Sequence, residues 1–245
     1  MCAIHQGTPH RRDACPDDRA RPDHRSRRRG RTAGVADLTP RPPLGVVLAG
    51  GSARRLGGAP KGLERVGGVR IIDRVVSSIQ TVTTDIVLSA NDQDALQWLL
   101  DVPILSDKTP MLGGLSGVLA GLSRGPAGRD VLVVAWDMPF VHPDLLARMV
   151  AVGLEKSATA VVPESDSPFG IEPFCGWYSA SAREPLEEFL AGGGGTARSF
   201  LERLPDVRRL SLGEARQFGD PAVLFLSVNT AADLARARAI ADAAE

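Results

Sequence analysis

The chain has 245 residues, 43% of them hydrophobic and 24% charged, an ordinary globular composition that suits one α/β domain, or one domain with a tail. No run approaches the roughly 20 apolar residues that span a bilayer, and the first residues lack the apolar stretch of a secretory signal, so no membrane role and a cytoplasmic location are expected. Net charge is zero, but residues 1–43 hold ten Arg against five Asp, which leaves 19 basic and 24 acidic residues, a net of −5, on 44–245. So acidic a body gives no reason to expect nucleic acid as a partner, and any phosphate affinity must be local.

Residues 1–43 contain few aliphatic side chains and no aromatic one. They cannot offset the entropy of ordering and read as a disordered Arg-rich N-terminal extension. A solvated tail or a translation start placed too far upstream is favoured over an arm that binds an anionic surface.

Order is expected from Leu44. The apolar run Leu44–Ala49, between Pro42-Pro43 and Gly50-Gly51, reads as a strand buried on both faces. Similar runs lie at Asp85–Ala90, Val102–Leu105, Val131–Trp136, Ala158–Pro163 and Ala222–Leu226. Between them come helical patterns at Ile71–Thr81, Asp92–Leu100, Leu115–Ser123, Pro143–Leu154, Ala180–Ala191 and Ala231–Ala243, with a further helix expected after Thr196. Strand alternating with helix predicts an α/β fold: a doubly wound, mostly parallel sheet with helices on both faces. In such sheets ligands bind beyond the carboxyl ends of the strands, here after Ala49, Ala90, Leu105 and Trp136.

The first of those loops is Gly50-Gly-Ser-Ala-Arg54-Arg55-Leu-Gly-Gly-Ala-Pro-Lys61. Its glycines let backbone N–H groups turn towards an anion, and Arg54, Arg55 and Lys61 add fixed positive charge. A triphosphate accounts for three cations within eight residues. Lys61 is followed by Gly62 rather than Ser or Thr, so this is not a Walker loop, and no G-x-G-x-x-G is present. After the second strand comes Asn91, either a ligand contact or a cap of the helix near Asp92. After the third comes Asp107, ahead of a glycine-rich turn at Gly113-Gly114. The fourth strand runs into Asp137-Met138-Pro139, which sets a carboxylate at the sheet edge, an oxygen ligand suited to Mg²⁺. The alternative, an N-cap for the helix near Pro143, is poor at six residues' distance. Asn229 has equal claims as a functional and a structural residue, and Thr230 with Asp233 reads as a capping box.

In the aromatic segment Phe169–Tyr178, core packing of Phe174 and Trp177 is favoured over ligand stacking. Cys2, Cys15 and Cys175 are too scattered for a zinc or disulfide framework. His142 is the only histidine after residue 43, and no G-x-S-x-G elbow is present, so nucleophilic or histidine-centred catalysis is not expected.

Leu-Ala-Gly-Gly, three residues, Arg, an aliphatic residue, Gly, three residues and Lys resembles the signature of the molybdenum cofactor guanylyltransferases and their wider sugar-nucleotide transferase relatives. The resemblance runs from Leu44 to about Ala243 and implies a Rossmann-like nucleotidyltransferase domain over 44–245. It implies that Leu48, Ala49, Gly50 and Gly51 lie along the nucleotide, with Arg55 and Lys61 on its phosphates. It further implies that Asn91 and Asp107 contact the nucleotide, that Asp137 ligates Mg²⁺, and that Asn229 helps hold the acceptor or the metal. The implied reaction moves GMP from GTP onto molybdopterin and releases pyrophosphate, with other cofactor-biosynthesis or molybdoenzyme chaperone proteins as implied partners. The sequence departs from the family pattern at Gly114, commonly Pro, at Trp136, usually smaller, and at Ser227, which replaces the first Asn of N-x-N-T. Rival readings are cytidylyl transfer to the same acceptor, a sugar-1-phosphate nucleotidyltransferase, and a non-catalytic nucleotide-binding accessory protein.

Overall fold

The computed structural model describes residues 41–49, 55–56, 59–99, 101–106, 113–124 and 129–244. The arm over residues 1–40, Gly50, Gly51, Arg54 and Asp107 lie outside the described residues, as does the side chain of Arg55. β1 (Leu44–Leu48) opens the fold and is followed by two short hairpins, β2 (Arg55–Leu56) with β3 (Ala59–Pro60), and β4 (Arg65–Val66) with β5 (Val69–Arg70). α1 (Ile71–Gln80) leads to β6 (Ile86–Ser89), β7 (Ile104–Leu105), α2 (Gly114–Leu122) and β8 (Val131–Ala135). Next come α3 (Pro143–Lys156), β9 (Ala160–Pro163), β10 (Cys175–Tyr178), α4 (Arg183–Ala191) and α5 (Ala197–Leu201). β11 (Val207–Leu210), α6 (Leu212–Ala215), α7 (Pro221–Leu224) and α8 (Ala231–Asp242) complete the chain.

Seven strands form one sheet in the order β11-β9-β10-β8-β1-β6-β7. Every neighbouring pair is parallel except at β10, which runs antiparallel to both β8 and β9. Alternation along β1 sends Val47 to the face covered by α1 and α3, and Val46 and Leu48 to the face covered by α2 and α4. α1 buries Ile72, Val75 and Ile79 on the first face, and α2 buries Leu115, Val118 and Leu122 on the second. Each such fully buried side chain contributes about 1.5–3 kcal/mol. α8 packs through Leu234, Ala237 and Ala241 against Val66, Ile71 and Val228 in a third cluster. The doubly wound, mostly parallel sheet is thus as the sequence predicts.

Three expectations are corrected. Ala222–Leu226 is not a strand: Asp220 accepts from the Ala222 N–H, Pro221 occupies the first turn, and the segment forms the short helix α7. The Asp92–Leu100 pattern forms a 3₁₀ stretch, Gln93–Gln97, capped by Asp92 rather than Asn91. Ala180–Ala191 divides into a 3₁₀ turn, Ala180–Ala182, and α4. Two strands of the seven-stranded sheet went unread, β10 inside the aromatic segment and the edge strand β11, whose Arg208 and Arg209 are exposed, as did the four short hairpin strands β2–β5. No helix among the described residues is long and apolar enough to cross a membrane.

Candidate functional site

The carboxyl ends of β1 and β8 lie side by side, with the Trp136 N–H donating to the Leu48 carbonyl at 3.1 Å. One residue later the chain turns and Asp137 leaves the sheet edge, its side chain 8% exposed. Its own carbonyl accepts from the Val228 N–H at 2.9 Å, and this draws the Ser227–Asn229 segment across the sheet edge. The reading of Asp137 as a helix cap is excluded: His142 caps α3, its ring nitrogen accepting from the Asp144 N–H at 3.2 Å.

Lys61 meets the same carboxylate. It follows the β2–β3 hairpin in a 3₁₀ turn, Lys61–Leu63, and is buried. A β-carbon at the next residue, Gly62, would lie 2.3 Å from Cε3 of Trp136. A Ser or Thr of the Walker type would therefore clash here with the Trp136 indole. That indole is itself buried and stacks on Trp98 with ring centroids 4.8 Å apart. Trp136 thus props the Lys61 turn from within the core.

Four side chains close a ring of hydrogen bonds. Lys61 Nζ donates to Asp137 Oδ2 and, at 2.7 Å, to Asn229 Oδ1. Asn229 Nδ2 donates to Ser227 Oγ at 2.9 Å, and the Ser227 hydroxyl donates back to Asp137 Oδ2 at 2.8 Å. The capping box of α8 steadies it: Thr230 and Asp233 cap each other, and Asp233 also accepts from the Asn229 N–H. Hydrogen bonds from the Thr230 hydroxyl and from the backbone N–H groups of Asn229 and Thr230 outweigh burial and hold the Asp233 carboxyl below its ordinary range.

The second oxygen of the key carboxylate, Asp137 Oδ1, is buried and has no hydrogen-bond partner among the described residues. Left alone, such an atom costs about 1–3 kcal/mol or more. A hard cation would satisfy it, and the donor chemistry fits Mg²⁺, which binds through one or two carboxylates and fills its octahedron with water and phosphate oxygens. Among the described residues no group of three or more His, Cys, Asp or Glu could hold an ion. A metal here would therefore depend on the substrate for most of its ligands.

Two cavities open beside the ring. One of about 250 Å³ is lined by Leu48, Gly114, Asp137 and Met138, and a second, of about 460 Å³, by Phe169, Ile171, Arg198 and Phe225. They share Glu172, Phe174, Ser227 and Asn229. Burial pushes the Glu172 carboxyl above its ordinary range, the charge of Asp137 adds to this, and hydrogen bonds to Ser165 and Ser167 oppose it.

The structure therefore brings Leu48, Lys61, Asp137 and Asn229 to one cleft. Ala49 is buried at the end of β1, its N–H donating to the Ser89 carbonyl at 2.8 Å, and Asn91 follows β6 at the same edge. Sequence reasoning did not single out Glu172 or give Ser227 a role. Ser227 could have been found from its place two residues before Asn229, and Glu172 as the single carboxylate of the aromatic segment Phe169–Tyr178.

Residues 45–207 match the MobA-like NTP transferase domain family. A molybdenum cofactor guanylyltransferase of Cereibacter sphaeroides is 35% identical over 199 residues, 80% of this chain and 96% of that protein. Another, of Desulfosudis oleivorans, is 32% identical over 197 residues, 80% of this chain and 94% of the relative. The crystal structure of molybdopterin-guanine dinucleotide biosynthesis protein A from Archaeoglobus fulgidus superposes with a TM-score of 0.69 at 27% identity, over 82% of this chain and 99% of that one. The chain belongs to the MobA-like NTP transferase family.

Proposed function

We propose that the chain transfers GMP from GTP to molybdopterin, forming the guanine dinucleotide cofactor and releasing pyrophosphate. The observation that carries the reading is the ring joining Lys61, Asp137, Ser227 and Asn229 at the sheet edge, open to two adjoining cavities. The names of the relatives over most of the chain support guanine and molybdopterin. Nucleotidyl transfer asks a protein for in-line positioning and charge neutralisation rather than a covalent nucleophile.

In this reading the triphosphate lies over the end of β1, along Leu48, Ala49, Gly50 and Gly51, with Asn91 and Asp107 on the nucleoside. Lys61 and Arg55 contact phosphate oxygens. A phosphate oxygen of the acceptor attacks the α-phosphorus, and the bond from that phosphorus to the bridging oxygen of the β-phosphate breaks. The pyrophosphate leaves with the electron pair. Lys61, already hydrogen-bonded and buried, stabilises charge as it accumulates on those oxygens without reorganising. Asp137 Oδ1 would hold Mg²⁺, which supplies charge neutralisation to the phosphates when bound. Ser227 and Asn229 hold the other carboxylate oxygen and the ammonium in place.

Pyrophosphate release tests this directly, with molybdopterin and each of GTP, CTP, ATP and UTP in Mg²⁺ buffer. GTP alone should support turnover, and it should give the largest thermal stabilisation. Turnover with CTP in preference to GTP would overturn the base assignment, and nucleotide binding without turnover would leave an accessory protein.

A further inference from the structure

Gly114 and Phe174 lie 60 positions apart in sequence but occupy the same space: a β-carbon at Gly114 would sit 2.6 Å from both Cε1 and Cζ of the Phe174 ring. Gly114 is the first residue of α2, where a proline suits the helix backbone. The three heavy atoms nearest to that β-carbon all belong to the Phe174 ring. The backbone that carries the ring is held on both sides. The Phe174 carbonyl accepts from the Ala135 N–H at 2.8 Å, and the Cys175 N–H closes a turn back to the Glu172 carbonyl at 3.1 Å. Yet Phe174 is only partly buried, unlike Trp177 three residues on, which lies in the core. Its exposed part borders both cavities, in company with Phe169, Phe225 and Arg198 in the larger one.

We infer that Phe174, given room by Gly114, selects the acceptor: its ring is the platform on which the flat fused heterocycle of the acceptor stacks. This rests on the acceptor reading proposed above and adds the residue pair that recognises the acceptor's ring. The larger cavity is continuous with the Lys61–Asp137 ring through Glu172, Ser227 and Asn229, so a heterocycle on Phe174 extends its phosphate towards the reacting centre. A planar ring stacks on an aromatic face largely irrespective of its substituents, so the contact recognises flatness and size.

The test uses the full chain and measures two quantities in parallel: GTP affinity by calorimetry, and the KM for molybdopterin by pyrophosphate release at saturating GTP. Phe174→Ala should raise the acceptor KM about tenfold while GTP affinity, which also reports correct folding, stays within about twofold. Gly114→Pro should do the same by displacing the ring, and Gly114→Pro combined with Phe174→Ala should be no worse than Phe174→Ala alone. An acceptor KM indifferent to Phe174→Ala, an equal loss of GTP affinity, or additive effects of the two substitutions would each overturn the role. A wild-type chain that binds GTP but releases no pyrophosphate with molybdopterin would instead sink the acceptor reading itself, and this role with it.

Discussion

The Lys61 ammonium and the Asp137 carboxylate, 76 positions apart, meet in an ion pair whose side chains are each 8% exposed. Removing one partner of such a pair strands a buried charge and costs about 3–5 kcal/mol. Lys61→Met and Asp137→Leu should each lower unfolding stability by that order in urea titrations without nucleotide. The combined variant, with no charge left to strand, should be more stable than either single one while remaining inactive. If the double variant is as unstable as the sum of the singles, the pair is not a coupled unit.

Ser227 holds one oxygen of Asp137. Its hydroxyl donates to Oδ2 and leaves Oδ1 without a partner among the described residues. Partners that orient a metal ligand typically change metal affinity by about 10–100-fold when removed. Ser227→Ala should therefore raise the Mg²⁺ concentration for half-maximal turnover about tenfold, with little change in GTP affinity. Ser227→Asn, which restores a side-chain donor, should recover most of the loss. A magnesium titration unchanged by Ser227→Ala would remove Ser227 from the arrangement.

Gly62 is constrained for a steric reason rather than a conformational one. An added methyl would lie 2.3 Å from the Trp136 ring, which cannot retreat because Trp98 stacks on it. Overpacking of this kind costs about 1–3 kcal/mol. Gly62→Ala should destabilise the chain by that order and reduce kcat, since the strain falls on the turn carrying Lys61. Pairing Gly62→Ala with Trp136→Leu should return part of the stability lost at Gly62; no such recovery would mean that the two residues are not in contact.

The sheet was legible because β1, β6 and β8 are buried on both faces and read as short unbroken apolar runs. β10 was not legible: Cys175-Gly-Trp-Tyr sits between β8 and β9 but follows a proline and carries no alternation long enough to register. The error at Ala222–Leu226 had a local cause, since Asp220-Pro221 is a helix-start signal that outweighs the apolar run behind it. At the site, Lys61 was legible from the cationic, glycine-rich loop after β1, and Asp137 because it follows the buried strand β8. That they touch was not, because contact across the sheet edge depends on the parallel order of β1 and β8. Likewise, the departures at Trp136 and Gly114 were visible one at a time, but their steric partners, Gly62 and Phe174, are defined only by tertiary packing.

Glu172 offers a test in pH. Burial first, and then the negative charge of Asp137, raise its carboxyl above the ordinary range, against the hydrogen bonds to Ser165 and Ser167. A carboxyl raised in the folded state binds more protons folded than unfolded. Its contribution to stability is thus fully present below the unfolded value, about pH 4.3, and is lost as pH rises through the raised folded value. Glu172→Gln keeps the side chain's size and a hydrogen-bonding carbonyl but cannot ionise. Without ligand, its melting temperature should exceed that of the wild type at neutral pH, and the gap should close on acidification below about pH 4. A melting difference that stays constant across this range would mean that the Glu172 carboxylate meets no net penalty beside Asp137, and that its place between the two cavities is electrostatically indifferent.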